Sequence, residues 1–418
     1  MTALSTTPLA LESYVCGQWV RGAKAGTPLL NAATGDVVAL IDASGIDPAA
    51  VLAHGRAKGG PALRRMSFHE RAGMLKALGQ YLMAHKEEFY ALSTATGATR
   101  ADSWIDIEGG IGTLLSYASK GRRELPNTRV LVDGDLELLS RDSTFSAQHI
   151  LTPLQGCAVH INAYNFPCWG MLEKIAPSLL AGVACIVKPA SQTAYLTELM
   201  VRRIIESGLL PEGALQLICG SLGAMLDHVD GQDVVTFTGS ASTGQMLRAS
   251  KAIVAQSVRF TMEADSLNAS MLGPDAVPGT EEFDLFVREV AREMTAKAGQ
   301  KCTAIRRILA PRTLVEPLVV ALGKRLGSTT LGNPADEAVR MGPLASLAQR
   351  DEVRARIEEL RADGEIVFGN PANPTLHSGD AARGAFLGPV LLYCDRPGAA
   401  KAVHDVEAFG PVSTILPY

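Results

Sequence analysis

A cysteine and a glutamate are the side chains best suited to covalent chemistry. Cys302 lies in the segment GQKCTAIRR, after a predicted helix that ends near Ala298-Gly299. A thiol held among backbone N–H dipoles can act as a nucleophile. Glu263 ends the apolar strand of the segment TMEADSLN, where a buried carboxylate would suit a general base. Each residue has an ordinary alternative, since most lone cysteines are buried as small apolar residues and a strand-end glutamate can reach solvent.

Two further segments offer donors for negative charge. Asn165, in HINAYNFPCWG, follows a predicted strand, and its amide could donate to a developing oxyanion or cap the next turn. The segment VVTFTGSASTGQMLRAS predicts a strand that passes through Gly239 and Ser240 into a helix starting near Gly244. Such a turn lets backbone N–H groups approach a pyrophosphate at a helix N-terminus. A plain glycine turn with Ser240 as N-cap would explain the same residues.

Alternating strands and helices must position these groups. From Gly156 to Ala264, β-branched apolar runs alternate with helical stretches, which is typical of βαβ units and a parallel sheet. The predicted strands are CAVHIN, ACIVKP, LQLICG, VVTFTG and VRFTME, and the predicted helices are KIAPSLLAG and TAYLTELMVRRIIESG. After Glu263, the helical patterns FDLFVREVAREMTAKAG and VEPLVVALGKRL indicate a second α/β domain.

The first third of the chain has a different pattern. Residues 1–127 are mainly helical in pattern, with an apolar stripe of Met74, Leu75, Leu78, Leu82 and Met83. The segment RVLVDGDLELLSRDSTFSAQHILTPL then alternates and contains an Asp133-Gly134 turn signal. We expect a protruding hairpin, and such arms often pair with another subunit.

Composition excludes several classes of protein. The chain has 418 residues, of which 47% are hydrophobic and 20% charged, as in an ordinary folded enzyme. Lys+Arg 39 and Asp+Glu 43 give a net charge of −4, so no global basic surface is offered to nucleic acid or to a membrane. The seven cysteines form no CxxC pair and no cluster at metal-ligand spacing, which favours a reduced cytoplasmic location and no metal. The sequence has no basic, apolar leader and no apolar run of about 18 residues, so we expect neither secretion nor a membrane span.

Six segments in order resemble the aldehyde dehydrogenase superfamily. They are NFP (Asn165 to Pro167), IVKPA (Ile186 to Ala190), FTGSASTG (Phe237 to Gly244), Glu263, GQKCT (Gly299 to Thr303) and EAFGPV (Glu407 to Val412). The resemblance extends from about Gly156 to the end of the chain. It implies an α/β fold with an open parallel-sheet cofactor domain, an α/β catalytic domain and a protruding β-hairpin arm. The expected bounds are 1–128 and 153–263 for the dinucleotide-binding domain, 129–152 for the oligomerisation hairpin and 264–418 for the catalytic domain.

The resemblance also implies a role for each candidate residue. Cys302 would attack an aldehyde, Asn165 and the Cys302 backbone N–H would stabilise the oxyanion, and Glu263 would activate a water. Residues that would contact the cofactor are Lys188 and Ser191 at the adenosine ribose, Gly239 and Ser240 at the pyrophosphate, Glu407 and Phe409 at the nicotinamide ribose and ring, and Gly220 and Phe237.

Ser191 predicts the choice of cofactor. Relatives that use NAD often have a glutamate three residues after the lysine at position 188, and its charge repels a 2′-phosphate. The neutral Ser191 lacks that repulsion, so we predict a preference for NADP, with NAD used less well. If Ser191 only caps the following helix, the two cofactors would serve equally.

Other segments resemble one branch of the superfamily, whose members act on semialdehydes linked to coenzyme A (CoA). These segments are ATGATRADSWIDIEGGIGTL, INAYNFPCWGMLEK, MEADSLN and REMTAKAGQKCTAIRR. The branch comprises the aldehyde dehydrogenase parts of bifunctional phenylacetate ring-opening proteins and, less closely, stand-alone dehydroadipyl-CoA semialdehyde dehydrogenases of the benzoyl-CoA route. We predict the first of these. Alternatives are the second, a cofactor-independent thiol hydrolase, and a non-catalytic remnant that binds partners through its hairpin.

The sequence departs from the superfamily in two places. Many relatives have Glu-Leu-Gly-Gly where this chain has Glu263-Ala264-Asp265-Ser266, so the backbone beside the base has less freedom. Superfamily chains also continue well beyond EAFGPV. We therefore expect part of the catalytic domain to be missing, with the strand that would cover a neighbour's hairpin. Where that segment is present, we expect a homo-oligomer.

Overall fold

The structure is a computed structural model that describes residues 8–418. Its described strands are β1 (Leu9–Ala10), β2 (Glu12–Val15), β3 (Gln18–Arg21), β4 (Thr27–Leu30), β5 (Val37–Ile41), β6 (Leu131–Leu138), β7 (Ser146–Leu151), β8 (Cys157–Ile161), β9 (Ala184–Lys188), β10 (Leu215–Leu217), β11 (Val234–Gly239), β12 (Arg259–Ala264), β13 (Asn268–Met271), β14 (Ile305–Ala310), β15 (Glu365–Phe368), β16 (Val390–Tyr393) and β17 (Val412–Pro417). Its α-helices are α1 (Pro48–His54), α2 (Gly60–Arg65), α3 (Phe68–Ala84), α4 (Lys86–Ser93), α5 (Arg100–Trp104), α6 (Gly110–Arg123), α7 (Trp169–Leu180), α8 (Ala194–Glu206), α9 (Ala241–Arg248), α10 (Lys251–Ala255), α11 (Glu281–Thr295), α12 (Val315–Gly327), α13 (Leu347–Leu360) and α14 (Ala402–Asp405).

A seven-stranded sheet forms the centre of the first half of the chain. Its strand order is β12-β11-β8-β9-β10-β2-β3, and the strands from β12 to β10 are parallel. Every residue of β8 and β10 is buried, as in parallel strands covered by helices on both faces. All five strands and both helices predicted between Gly156 and Ala264 are present.

The N-terminal region is less helical than predicted. Helix α3 is present, and its residues Met74, Leu75, Leu78 and Leu82 are buried. Residues 9–41, however, form five strands rather than helices. Strands β2 and β3 extend the large sheet with antiparallel pairing, and β1, β5 and β4 form a small separate sheet. These strands have only two to five residues each, too few to show an alternating pattern in the sequence.

A five-stranded sheet forms the centre of the second half. Its order is β13-β14-β17-β16-β15, and only β15 is antiparallel to its neighbour. Helices α11 and α12 pack beside it, as predicted from their periodicity. Only residues 265–267 separate β12 of the first sheet from β13 of the second. This short connection brings the carboxyl end of β12 next to the second sheet.

The predicted hairpin is present, but its turn is elsewhere. Among the strands of residues 8–418, β6 and β7 pair only with each other, in an antiparallel ribbon. Asp133-Gly134 lies inside β6, where the register shifts before Glu137, and the chain reverses at residues 139–145. The register shift accommodates Gly134 within β6, so the Asp133-Gly134 pair does not form the turn of the hairpin. Apolar side chains exposed on this arm include Leu136, Leu138, Leu139, Phe145, Ile150 and Leu151.

Candidate active site

Cys302 lies in the turn between α11 and β14, and its side chain is exposed. Three consecutive residues before it have left-handed backbone, with φ of 57° at Lys297, 50° at Ala298 and 68° at Gly299. A Cβ atom at Gly299 would collide with the carbonyl of Gly410, so only glycine allows the two loops to approach. The turn therefore packs against the loop that contains Gly410, and the thiol of Cys302 faces outward.

Two donors hold the backbone of Cys302. Its carbonyl oxygen accepts hydrogen bonds from Ser266 Oγ at 2.7 Å and from Asn268 Nδ2 at 2.5 Å. The backbone N–H of Ser266 donates to Glu407 Oε2 at 3.0 Å. The connection between the two sheets thus joins the cysteine turn to the loop that contains Glu407.

Glu263 lies beside the thiol but is not buried. The prediction of a buried strand end was wrong, because β12 is the edge strand of its sheet and none of the described strands covers the outer side of Glu263. The pKa of the Cys302 thiol is raised, first by burial of the sulfur and then by the nearby Glu263 carboxylate. The raised pKa favours the thiol form of Cys302, next to the Glu263 side chain.

Asn165 reaches the same turn from the first sheet. It follows β8, and its Nδ2 donates to the carbonyl of Gln300 at 3.0 Å. Nδ2 carries two hydrogens, so the second can still donate to a ligand. Gln300 is itself buried and bonded through its side chain to Lys297 and Ala345. The structure therefore brings Asn165, Glu263 and Cys302 together where the two sheets meet.

A buried carboxylate that sequence analysis missed supports the Asn165 loop. Asp106 Oδ1 accepts the backbone N–H groups of Cys168 at 3.1 Å and Trp169 at 2.8 Å, at the start of α7. Complete burial raises the pKa of Asp106 to about 6, although Lys297 acts in the opposite direction. Among the described residues, no other group bonds to its second oxygen.

The predicted phosphate turn has the expected shape with a different helix start. β11 ends at Gly239 and α9 begins at Ala241, three residues before the predicted start. Ser240 is the N-cap, and its hydroxyl accepts the N–H of Thr243 at 3.4 Å. Phe237 is buried beneath this turn, where a Cβ atom at Gly239 would meet its ring. The glycine thus serves packing, while the α9 N-terminus remains at the surface.

Asp265 occupies part of that helix terminus. Its Oδ1 accepts the N–H of Ala241, the first residue of α9, at 3.0 Å. Asp265 has a φ of 41°, a strained value for a residue other than glycine. An aspartate at this departure from the superfamily pattern therefore places a carboxylate at the helix N-terminus.

Lys188 and Ser191 lie at the carboxyl end of β9. Burial lowers the pKa of Lys188, and none of the carboxylates in residues 8–418 pairs with it. Ser191 begins a short 3₁₀ turn, and Thr193 precedes α8, so Ser191 does not cap that helix. Ser191 and Gly220 line a cavity of about 520 Å³ with Lys24 and other residues.

Glu407 and Phe409 lie on the loop before β17. Glu407 pairs with Arg306, whose Nε donates to Oε1 at 3.3 Å. Burial raises the pKa of Glu407, while Arg306 acts in the opposite direction. The ring of Phe409 meets that of Tyr164 edge-on, with 6.1 Å between centroids. Arg306 is a second residue that sequence analysis did not assign.

Neither a metal cluster nor a membrane-spanning helix is found in the described part of the chain. Residues 8–418 contain no group of three or more His, Cys, Asp or Glu side chains placed to hold a metal ion. Within the same range, no helix is both long and apolar enough to cross a bilayer.

The fold is α/β, and its site places an exposed cysteine thiol beside a carboxylate and near an amide donor. Residues 19–418 match the model of the aldehyde dehydrogenase family, and the chain belongs to that family. The predicted membership of the aldehyde dehydrogenase superfamily and the predicted fold class are both confirmed.

Named relatives support this assignment. The 3,4-dehydroadipyl-CoA semialdehyde dehydrogenase of Aromatoleum evansii is 47% identical over 411 residues, which are 98% of this chain and 80% of that protein. The alpha-ketoglutaric semialdehyde dehydrogenase of Bacillus subtilis is 26% identical over 97% of this chain and 80% of that protein. A betaine aldehyde dehydrogenase from Staphylococcus aureus, solved with NAD⁺, shares the fold with a TM-score of 0.85 and 24% identity, over 98% of this chain and 78% of its own. Aldehyde dehydrogenase C from Pseudomonas syringae, a mutant solved with NAD⁺ and octanal, has a TM-score of 0.83 and 21% identity, over 100% of this chain and 82% of its own.

Proposed function

We propose that this aldehyde dehydrogenase oxidises a CoA-linked semialdehyde to the carboxylic acid, with NADP as its preferred cofactor. The observation that carries the proposal is the exposed thiol of Cys302 beside Glu263 and the Asn165 loop. The relative that is 47% identical and named for a CoA-linked semialdehyde supports the substrate class.

Each residue of the site has its own role in the proposed reaction. Glu263 takes the thiol proton as the sulfur of Cys302 forms a bond to the aldehyde carbon. The resulting oxyanion accepts hydrogen bonds from the free N–H of Asn165 and the backbone N–H of Cys302. When bound, the nicotinamide supplies the hydride acceptor. Glu263 releases the thiol proton to solvent and then takes a proton from a water molecule, whose oxygen attacks the thioester. The carbon–sulfur bond breaks to release the acid and the thiolate.

The residues near Lys188 fit a dinucleotide with a 2′-phosphate. Lys188 has no carboxylate partner within residues 8–418, and the neighbouring Ser191 carries no charge that would repel a phosphate. The cavity beside Ser191 offers space and the cation Lys24. Glu407 and Phe409 would contact the nicotinamide ribose and ring. Asp265 opposes this arrangement, since its carboxylate would compete with a diphosphate for the N–H of Ala241.

Two CoA-linked substrates are candidates. The sequence resemblance favours the semialdehyde of the phenylacetate route, and the 47% identical relative favours 3,4-dehydroadipyl-CoA semialdehyde of the benzoyl-CoA route. A panel of both compounds and of free aldehydes, each with NADP and with NAD, compares kcat/KM directly. Preference for free aldehydes would contradict the substrate class and leave aldehyde oxidation intact.

The variant Cys302→Ala tests the chemistry. We expect it to bind NADP normally and to form no reduced nicotinamide, as followed by absorbance. Cys16→Ala is a matched control, because Cys16 is also exposed but lies in the N-terminal region. Turnover by Cys302→Ala would overturn the role of the nucleophile. Thioester cleavage by the unaltered chain without nicotinamide would instead favour the thiol hydrolase.

The hairpin supports a proposal about assembly. In a chain that includes the segment beyond EAFGPV, the exposed apolar side chains of the hairpin, among them Leu136, Leu138 and Phe145, would be covered in a homo-oligomer. Gel filtration with light scattering tests this proposal. A monomer at micromolar concentration would contradict it.

A further inference from the structure

Arg306 is a buried arginine whose Nε, Nη1 and Nη2 atoms donate hydrogen bonds to the cysteine turn and to the loop before β17. It lies in β14, four residues after Cys302, and its side chain is only 4% exposed. Its Nη1 donates to the carbonyl of Gly410 at 2.7 Å, and its Nη2 donates to the carbonyls of Gly299 at 2.8 Å and Lys301 at 3.3 Å. With the bond to Glu407 described above, one rigid group joins the cysteine turn to the loop before β17.

The bond to Lys301 fixes the direction of an oxyanion donor. The carbonyl of Lys301 and the N–H of Cys302 belong to one planar peptide group and point in opposite directions. This carbonyl accepts from Arg306 Nη2 and also from the backbone N–H of Ala304 at 3.2 Å, so the N–H of Cys302 is directed away from Arg306. The carbonyl of Cys302 is held separately by Ser266 and Asn268, so both peptide planes around the nucleophile are fixed.

The bond to Glu407 fixes a second element. Glu407 has one oxygen bonded to Arg306 and the other to the N–H of Ser266. The guanidinium carbon of Arg306 also lies 5.4 Å from the centroid of the Phe409 ring. The same side chain thus contacts the two residues proposed to meet the nicotinamide end of the cofactor.

We propose that Arg306 is a positioning residue that aligns the oxyanion donor of Cys302 and the cofactor contact of Glu407 at the same time. The inference rests on the proposed roles of Cys302 and Glu407. Lysine cannot replace it fully, because an ammonium is a point charge and cannot span four acceptors as the planar guanidinium does.

Two assays separate the two effects. Hydrolysis of p-nitrophenyl acetate without cofactor reports acyl transfer to Cys302, which depends on the oxyanion donors and not on the cofactor contact of Glu407. Oxidation of the aldehyde also depends on the contact with Glu407. Rates are expressed per Cys302 thiol that reacts with iodoacetamide, located by peptide mass, so that unfolded protein does not contribute.

We expect Arg306→Ala to lower ester hydrolysis per thiol by about tenfold to a hundredfold, as for the loss or misalignment of one oxyanion donor. The KM for NADP should rise severalfold. Guanidinium ions added at low concentration should partly restore the rate of ester hydrolysis and the KM for NADP of Arg306→Ala. Ammonium ions should restore neither. Arg306→Lys should keep the fold and lie between the wild type and Arg306→Ala in both assays.

Arg71→Met is the matched control for loss of a buried arginine. Arg71 is completely buried in α3 and donates to the carbonyl of Leu63, far along the chain from the site. Arg71→Met should change neither rate per thiol. If Arg306→Lys keeps both the rate of ester hydrolysis and the KM within twofold of the wild type, the inference is wrong. Turnover by Cys302→Ala would instead refute the proposed function.

Discussion

The variant Asp106→Asn should change how the stability of the protein depends on pH. In the folded chain the pKa of Asp106 is raised from 3.8 to about 6, mainly by complete burial. The folded state therefore holds a proton that the unfolded chain has lost between these two values. A raised pKa stabilises the fold most below the unfolded value, and that stabilisation is lost as pH rises through the folded value.

The magnitude follows from the shift. Two pKa units correspond to about 3 kcal/mol between the extremes of pH, of which about 1.4 kcal/mol is lost between about pH 5 and about pH 7.5. Asp106→Asn has no proton to lose, and its amide oxygen can still accept the N–H groups of Cys168 and Trp169. Relative to the wild type, the variant should gain about 1.4 kcal/mol over the same range of pH.

Urea unfolding at both pH values measures this difference. The other carboxylates titrate equally in both proteins, so they cancel in the comparison. Asp275→Asn, which removes an exposed aspartate, should unfold in parallel with the wild type at both pH values. A free-energy difference between wild type and Asp106→Asn that is the same at both pH values would refute the assignment of the buried proton.

Three other variants test the site. Asn165→Ala should slow turnover by about a hundredfold, because one oxyanion donor is lost, and unchanged kcat would remove Asn165 from this role. Ser191→Glu should lower kcat/KM with NADP by at least about tenfold and leave NAD little affected, as measured with each cofactor in turn. An equal loss with both cofactors would point to misfolding instead. Asp265→Gly should tighten NADP binding by about fivefold, since a competing carboxylate leaves the α9 N-terminus, and calorimetry that shows the same Kd would contradict this.

The sequence predicted the central strands because their burial follows from local pattern. β8 and β9 are mainly apolar runs bounded by turn residues, and α8 has an apolar stripe, so neighbours in space were not needed to identify them. The short strands β2 and β3 were missed because only their pairing with β10 and with each other makes them strands.

In the site as well, local sequence does not reveal side-chain environments that depend on distant parts of the chain. The exposure of Glu263 depends on strand order, which places β12 at the sheet edge and which no local pattern reveals. Asp265 meets the N–H of Ala241, a partner 24 residues away that only the fold brings close. Arg306 did leave a signal, since Arg306 and Ile308 occupy the inward positions of the alternating strand IRRILA. An arginine at an inward strand position needs several partners, and the alternation of the strand is enough to indicate that need.

The left-handed turn before Cys302, the proposed nucleophile, has a consequence for engineering. Lys297 and Ala298 adopt a backbone conformation that costs about 1–2 kcal/mol for each residue that is not glycine. Selection for heat resistance would favour Ala298→Gly, which relieves that cost. Selection for catalytic speed would oppose it, because glycine would let the cysteine turn sample more orientations. Selection for stability and selection for speed would therefore favour different residues at position 298, four residues before Cys302.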